Sequence, residues 1–112
     1  QVTTTSPYGR DRKIQGSPIR VCEMLSTLDG VALATRVSVD TPKGVIAAKK
    51  AIKKAFQYQQ EGKGFTIVEV LSTCPTNWGM SPVDALQWLR DNMIPYYPLG
   101  TYKDIAEQEA NV

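Results

Sequence analysis

The stretch GKGFTIVEVLSTCPTNWGMSP, residues 62–82, decides the fold of this chain. Its centre, residues 65–73, is apolar and rich in β-branched side chains, which is typical of a buried strand. Cys74 and a proline follow at once, and a serine–proline pair at 81–82 gives the cap and first-turn proline of a helix start. The stretch therefore predicts a strand, a loop that carries Cys74, and a helix over about 82–94.

The same succession of strand and helix occurs once earlier in the chain. Residues 31–39, VALATRVSV, are mostly apolar or β-branched and predict a second, largely buried strand. Thr41 as a cap and Pro42 in the first turn then begin a helix that is predicted over 42–61. Four lysines share an arc about 140° wide on this helix, which indicates a solvent-exposed face. The lysines are Lys49, Lys50, Lys53 and Lys54, and the predicted inner face opposite them is Val45, Ala48, Ile52, Ala55 and Phe56.

A further helix is predicted ahead of the first strand, over residues 18–29. A serine and a proline at 17–18 give its start, as they do at 81–82. Ile19, Cys22 and Leu25 then recur at helical spacing, with Met24 beside them, so Cys22 is predicted to face the core. Gly30 is expected to close the helix as a left-handed cap.

The two ends of the chain give weaker patterns. Residues 1–16 show no periodicity and contain turn-forming residues, which predicts an extended loop. In the helix over 82–94, Val83, Leu86 and either Leu89 or Arg90 recur at helical spacing, and Pro95 is expected to end the helix. YYPLG then indicates a rigid tail, and YKDIAEQEANV a last, poorly anchored helix.

The order helix, strand, helix, strand, helix indicates an α/β protein. Strands that alternate with helices at this spacing form a parallel sheet with right-handed crossovers. A parallel sheet is usually covered on both faces and has several strands, and two strands are too few for one. The pattern therefore predicts part of a larger α/β sheet.

Composition and charge argue against a nucleic-acid or membrane partner, but they do not indicate a particular function. The 112 residues suit one domain, and 13 basic against 11 acidic residues leave a net charge of +2. Eleven basic residues lie between Arg10 and Lys63, but no aromatic side chains alternate with the lysines, so no nucleic-acid partner is predicted. No apolar run approaches the roughly 20 residues that span a membrane, so no membrane partner is predicted. Two cysteines make no disulfide framework, which favours a reducing, cytoplasmic location.

Cys74 is the candidate for chemistry because ligands gather outside the carboxyl ends of parallel strands. Pro75 fixes the local backbone and so gives the sulfur a set direction. A nucleophilic cysteine commonly needs a histidine base, and the chain has no histidine. A zinc site needs about four ligands, and Cys22 is expected on a core-facing helix. Two interpretations remain: one ligand of a metal or iron–sulfur site, or a small buried residue, and spacing alone favours the second.

Longer stretches of the sequence carry a resemblance to a known family. The chain resembles the carboxyl-terminal part of the β subunit of thiamine-diphosphate-dependent 2-oxoacid:ferredoxin oxidoreductases, in the 2-oxoisovalerate and 2-oxoglutarate branch. The stretches are specific and follow the order and spacing of the family. They are TTTSPYGRD (3–11), PIRVCEMLSTLDG (18–30), TRVSVDTP (35–42), KKAIKKAF (49–56), GKGFTIVEVLSTCPTNWGMSP (62–82) and NMIPYYPLG (92–100).

The resemblance implies a thiamine-diphosphate-binding fold, of which residues 1–112 are the carboxyl-terminal portion. The complete subunit of the family holds thiamine diphosphate, Mg²⁺ and a [4Fe–4S] cluster. Its fourth cluster cysteine lies in a Ser-x-Cys-Pro context, which Ser72, Thr73, Cys74 and Pro75 match. The resemblance thus implies that Cys74 is that fourth thiolate ligand. The other three cysteines and the Gly-Asp-Gly motif of the cofactor site have no counterpart in residues 1–112, so the isolated segment is expected to bind neither group and to be inactive.

The resemblance also implies an activity and a set of partners. The parent enzyme decarboxylates a 2-oxoacid, forms acyl-coenzyme A and passes electrons to ferredoxin. Expected partners are the other subunits of the enzyme and the amino-terminal portion of the same subunit. In isolation, the exposed edges of the sheet are expected to cause self-association.

Two further features of the sequence, the TTTSPYGRD loop and an aromatic cluster, allow other interpretations. The TTTSPYGRD loop, with Thr3, Thr4, Thr5, Ser6 and two arginines, suits an anionic ligand. A surface loop or subunit contact explains it equally well and is favoured. The alternative to an enzyme segment is a free-standing interaction module of α/β type, whose contact surface is an aromatic cluster. Its residues are Trp78, Trp88, Tyr96 and Tyr97.

Overall fold

The computed structural model of the chain describes Val2 and residues 6–110. Within that part, three strands form one sheet in the order β2-β1-β3: β1 is Val31–Ser38, β2 is Phe65–Leu71 and β3 is Gly100–Asp104. The α-helices are α1 Arg12–Gln15, α2 Val21–Leu25, α3 Pro42–Gln60, α4 Pro75–Trp78, α5 Pro82–Trp88, α6 Ile94–Tyr96 and α7 Ile105–Ala110, with a π-helical segment at Leu89–Met93 between α5 and α6.

The central strand β1 is buried along its whole length. All eight of its residues are buried, since β1 has a neighbour on each side and α2 and α3 pack against it. β1 and β2 run parallel, with Val31 opposite Phe65 at one end and Ser38 opposite Leu71 at the other. The two predicted strands and their parallel pairing are therefore confirmed. The α/β class is confirmed with them.

The third strand corrects the prediction for the end of the chain. Residues 100–104, predicted as the end of a rigid tail and the start of a helix, form β3 and pair antiparallel with β1. The sheet is thus mixed, and the helix α7 begins only at Ile105. β3 gives no apolar pattern because its buried residues are Lys103 and Asp104, whose charges are satisfied by other segments. The Lys103 ammonium donates to the Leu28 carbonyl oxygen at 2.6 Å, for example.

The helix predicted over 18–29 is shorter than expected. α2 covers only Val21–Leu25 and has no side-chain cap. Two hydroxyls end it early, because the Ser26 and Thr27 side chains donate to the carbonyl oxygens of Glu23 and Met24 at 2.7 and 2.8 Å. Cys22 is fully buried, as predicted, whereas Ile19 and Met24 are largely exposed.

Two further details of the amino-terminal part differ from the predictions. Gly30 is not a left-handed cap, since it is not among the glycines with positive φ. The segment predicted as an extended loop contains the short helix α1, capped by the Asp11 side chain.

Helix α3 has the predicted bounds to within one residue, but only part of the predicted inner face faces the core. The Thr41 hydroxyl accepts from the Gly44 amide at 2.9 Å, as expected of a cap. The buried residues are Ala48 and Tyr58, while Phe56 is 67% exposed and Ile52 42% exposed. Val45 is also exposed, and Ala55 is half-buried. The apolar side of α3 therefore extends past the sheet that this chain supplies.

The lysine face of α3 is confirmed for three of its four members. Lys49, Lys50 and Lys53 are exposed. Lys54 instead forms an ion pair with the buried Asp104, whose other carboxylate oxygen accepts from the Tyr58 hydroxyl at 2.6 Å. This pairing joins α3 to β3, which the helical pattern alone does not reveal.

The helix predicted over 82–94 begins as expected and then continues further. The Ser81 hydroxyl accepts from the Asp84 amide at 3.2 Å. Pro95 does not end the helix, because the chain widens into the π-helical segment just before it and then completes α6. The buried residues are Ala85 and Leu89, with Leu86 half-buried, whereas Val83 is 75% exposed.

Replacing Gly44 tests how closely α3 approaches the end of β1. A Cβ on Gly44 would lie 2.5 Å from the Ser38 carbonyl oxygen, which is backbone and cannot rotate away. We expect Gly44→Ala to lower the free energy of unfolding by about 1–3 kcal/mol, despite the better helix propensity of alanine. Chemical denaturation followed by circular dichroism measures the change. Gly30→Ala is the matched control because nothing lies within 4 Å of its added Cβ; equal stability of the two variants would contradict the close approach.

Candidate functional site

Cys74 lies where the sequence places it, just beyond the carboxyl end of β2. It occupies the N-cap position of α4, and Pro75 begins that short helix. The residue is half-buried, and its Sγ accepts a hydrogen bond from the Asn77 side-chain amide at 3.2 Å. The sulfur is therefore held in one direction by backbone, proline and amide together.

Among the described residues, Cys74 belongs to no group of three or more candidate metal ligands. No group of three or more Cys, Asp or Glu side chains in that part of the chain is arranged to hold a metal ion. Cys22 is fully buried beneath β1, and its Sγ donates to the Thr35 carbonyl oxygen at 3.5 Å. Burial, with Glu69 nearby, raises the pKa of Cys22 to about 12, so it stays a thiol at neutral pH. The expectation that Cys22 faces the core is confirmed.

The carboxyl end of β1 carries a second polar cluster that the sequence did not reveal. Asp40 accepts from the Ser38 hydroxyl and from Arg90 Nε, the latter at 2.9 Å, and Arg90 Nη2 donates to the Asp40 carbonyl oxygen at 2.7 Å. Burial alone would raise the pKa of Asp40, but the bonds from Ser38 and Arg90 outweigh it and lower that pKa. Fifty residues separate Asp40 from Arg90, so no local pattern could indicate the pair.

The most strongly bonded charged group in the described part of the chain is Arg36, in the middle of β1. Its side chain is fully buried. Nη1 and Nη2 donate to the two carboxylate oxygens of Glu23 at 2.6 and 2.7 Å, and Nε donates to Glu69 at 2.8 Å. Nη1 also reaches the Pro98 carbonyl oxygen and the Tyr102 hydroxyl, both at 3.1 Å. Arg36 therefore connects α2, β2 and the segment that leads into β3.

The electrostatics of this cluster follow from its geometry. The hydrogen bonds that Arg36 donates to Glu23 raise the pKa of Arg36 despite its burial, and Glu69 adds to the effect. In turn, the guanidinium lowers the pKa of Glu23 to about 2. Tyr97 and Tyr102 lie with their ring centres 5.3 and 5.1 Å from the guanidinium carbon, close enough for cation–π attraction. The signal in the sequence was one arginine and one glutamate, each in the middle of an apolar strand.

Of the TTTSPYGRD loop, the structure describes only residues 6–11. Thr3, Thr4 and Thr5 lie outside the described residues. Tyr8 is fully exposed, and Arg10 Nη1 donates to the Gly16 carbonyl oxygen at 3.3 Å. The role of this loop stays a prediction.

The aromatic residues of the alternative interpretation form two pairs. The ring centres of Trp78 and Trp88 lie 4.7 Å apart, and those of Tyr96 and Tyr97 also lie 4.7 Å apart. Both tryptophans line a cavity of about 230 Å³ together with Asn77 and Met80. Arg20 stacks on Tyr96 at 4.3 Å and donates to its carbonyl oxygen at 2.9 Å. Part of this aromatic surface is thus used within the chain.

Comparison with known proteins points to subunits of 2-oxoacid oxidoreductases. The ketoisovalerate oxidoreductase subunit VorA of Methanothermobacter marburgensis is 39% identical over 96% of this chain, and that of Methanothermobacter thermautotrophicus is 39% identical over 93%. The 2-oxoglutarate synthase subunit KorB of Methanocaldococcus jannaschii is 34% identical over 99% of the chain. No protein-family model and no solved structure matches the chain.

The chain is therefore homologous to VorA and KorB subunits over nearly its whole length, and the resemblance seen in the sequence is confirmed at that level. It spans 23% and 22% of the two VorA subunits and 41% of KorB. None of the helices in the described part of the chain is long and apolar enough to cross a membrane.

The lowered pKa of Glu23 predicts how acid affects stability. Its carboxylate stabilises the fold fully above its ordinary pKa, and this contribution is lost as pH falls toward about 2, because the protonated group no longer attracts Arg36. We expect Glu23→Gln to cost about 1–3 kcal/mol at pH 7 and much less near pH 2. Urea unfolding across this pH range measures the difference.

A surface variant provides the control for this experiment. Asp91→Gln removes an exposed carboxylate that accepts from Gln87 rather than from a buried cation, and it should leave the acid dependence unchanged. A penalty for Glu23→Gln that is the same at pH 7 and at pH 2 would show that the ion pair with Arg36 is not responsible.

Proposed function

We propose that the chain is the carboxyl-terminal segment of a subunit of a thiamine-diphosphate-dependent 2-oxoacid:ferredoxin oxidoreductase. The observation that carries the proposal is homology to VorA and KorB over nearly the whole chain, at 22–41% of their length. The parent enzyme would oxidatively decarboxylate a 2-oxoacid, yield acyl-coenzyme A and pass electrons to ferredoxin. Thiamine diphosphate supplies the carbanion chemistry of such a reaction when bound.

The proposed contribution of this chain is structural support and one metal ligand. Cys74 suits a ligand of a [4Fe–4S] cluster because it is half-buried, lies at the carboxyl end of a parallel strand and has a fixed direction. Because no group of three or more candidate ligands is found among the described residues, we place the remaining ligands of the proposed cluster on another part of the polypeptide.

Asn77 is the neighbour that would influence such a ligand most directly. Its side-chain amide donates to Sγ at 3.2 Å, and hydrogen bonds to ligand sulfur stabilise the electron-rich, reduced form of a cluster. Trp78 and Trp88 pack beside it and would limit the access of water. These residues would tune the site, and none of them would take part in the chemistry of the substrate.

The proposed partners follow from the same assignment. They are the other subunits of the enzyme, the amino-terminal portion of the same subunit with its thiamine diphosphate and Mg²⁺, and ferredoxin as electron acceptor. A reducing, cytoplasmic location suits the two free cysteines. In isolation, the open sheet edges would lead the chain to associate with itself.

Replacing Cys74 tests its proposed role. In the longer subunit, we expect Cys74→Ser to lose the visible absorption and much of the iron of the [4Fe–4S] centre, because a hydroxyl is a poorer ligand for iron than a thiolate. Cys22→Ser is the control: it should keep the iron and lose about 1–3 kcal/mol of stability, since a new hydroxyl is buried beneath β1. An unchanged spectrum and iron content in Cys74→Ser would refute the ligand assignment.

The isolated chain should have no oxidoreductase activity, because the cofactor site would lie on another part of the subunit. Reduction of viologen with 2-oxoisovalerate, coenzyme A and thiamine diphosphate is the assay. The complete enzyme is the positive control, and turnover by the pure 112-residue chain would overturn the proposal.

A further inference from the structure

β2 has the sequence of a central strand but lies at an edge of the sheet. Five of its seven residues, FTIVEVL, are apolar, and both of its faces carry apolar side chains. Such near-continuous apolar runs are typical of parallel strands that have a neighbour on each side. β1 is similarly apolar and has two neighbours, and all eight of its residues are buried. Among the described residues, β2 pairs only with β1, and Leu71 is its one buried residue.

A groove between β2 and α3 extends this apolar surface onto the helix. Ile52 and Phe56 of α3 and Val68 of β2 line the groove, whose volume is about 240 Å³. Phe56 is 67% exposed there, and Val70, on the same face of β2 as Val68, is 39% exposed. The groove and the open edge therefore suit one occupant, namely a strand beside β2 whose apolar side chains reach α3.

The lengths of the relatives indicate where such a strand would come from. The chain spans 22–41% of the VorA and KorB subunits that it matches. Under the function proposed above, most of the subunit therefore lies outside residues 1–112. A segment of the same polypeptide is present at a high effective concentration, so it would pair with the edge ahead of any separate chain.

The position of Cys74 favours a parallel orientation for the added strand. Ligands in parallel sheets gather beyond the carboxyl ends of the strands, and Cys74 lies just beyond that end of β2. A parallel neighbour would end about 5 Å from β2, so the loop that follows it would lie beside Cys74. The described residues contain no group of three or more candidate metal ligands, which leaves room for such a loop in the proposed site.

We propose that a strand from the amino-terminal portion of the subunit pairs parallel with the outer edge of β2 and fills the groove lined by Ile52, Phe56 and Val68. The loop after that strand then lies beside Cys74. This inference rests on the proposed function, which supplies the longer subunit. It adds which edge of the sheet joins the two parts of the subunit and which kind of loop reaches Cys74.

Amide exchange in the longer subunit tests whether β2 has a second neighbour. The N–H groups of a strand point alternately to its two sides, so every other amide of an edge strand has no strand partner. We expect all amides of residues 66–71 to exchange at least about 100-fold more slowly than in an unstructured peptide. Mass spectrometry at single-residue resolution measures this. Alternating fast and slow amides would show that β2 is still an edge and would overturn the proposal.

Photo-cross-linking in the longer subunit tests the orientation of the added strand. Benzoylphenylalanine placed at Thr76, which is exposed beyond the carboxyl end of β2, should capture residues that follow an apolar run of the amino-terminal portion. The same probe placed at Glu61, which is exposed before the amino end of β2, should capture residues that precede that run. The reverse assignment, or capture of another copy of the subunit at both positions, would refute the proposed pairing.

Phe56→Lys tests whether the groove is filled. The added strand would bury the new charge, so the melting temperature of the longer subunit should fall by about 5 °C or more. Ile46→Lys is the matched control, because Ile46 is an apolar residue of α3 that is 56% exposed and does not line the groove. Equal melting temperatures of the two variants would contradict the filling of the groove.

The exchange and cross-linking measurements require neither a bound cofactor nor turnover, so they separate this inference from the proposed function. A subunit without iron or activity but with uniform protection of β2 would refute the function and support the pairing. An active subunit that contains iron but has alternating fast amides in β2 would refute the pairing alone.

Discussion

The buried guanidinium of Arg36 is the interaction on which the rest of the structure depends. A cation in the middle of a central strand is costly to bury unless each donor finds an acceptor, and removal of one partner leaves a charge without compensation. Two carboxylates, a carbonyl and a tyrosine hydroxyl meet this need from three separate segments. α2, β2 and the approach to β3 are therefore constrained to one arrangement around β1, and this leaves little freedom in the position of Cys74 after β2.

Polar contacts set positions throughout this small structure, and the apolar core is correspondingly modest. The buried hydrophobic cluster around Ala32, Leu33 and Tyr58 is small, and Ala55 and Ile105 only border it. Elsewhere Asp104 joins α3 to β3 through Lys54 and Tyr58, and Asp40 ties Arg90 to the end of β1. These polar contacts fix the positions of the helices and strands relative to one another, although apolar surface on α3 remains uncovered.

How much of the fold the sequence predicts depends on how far apart in the chain the interacting residues lie. β1, β2 and α3 have local signals, namely β-branched runs and a threonine–proline start, and these were predicted to within two residues. β3 has no such signal, because its burial depends on Lys103 and Asp104 finding partners far away in the chain. The inner face of α3 was predicted only in part, since Ala48 is buried but Ile52 and Phe56 are exposed. Periodicity finds the apolar side of a helix but does not say how much of that side one chain covers.

In the candidate site, too, features set by neighbouring residues were predicted, and those set by distant residues were not. The position of Cys74 after a strand, and its direction from Pro75, could be inferred from neighbours in sequence. The bond from Asn77 is also local, three residues away, and was missed because asparagine in a loop has many ordinary uses. Arg36 and Glu69 were visible as charges inside apolar strands, yet their pairing required the register of β1 against β2, in which the two residues lie opposite each other.

The antiparallel return of β3 onto β1 has a consequence for the order of folding. Glu23 lies 13 residues from Arg36 and Glu69 lies 33 residues from it, whereas Tyr102 lies 66 residues away. The cost of closing a loop rises with its length, so the contacts among α2, β1 and β2 are favoured to form first and β3 to dock last. Until it docks, Arg36 has its two carboxylates but lacks the acceptors from the last strand. In this order of folding, the charge of Arg36 is compensated by two carboxylates before β3 adds its acceptors.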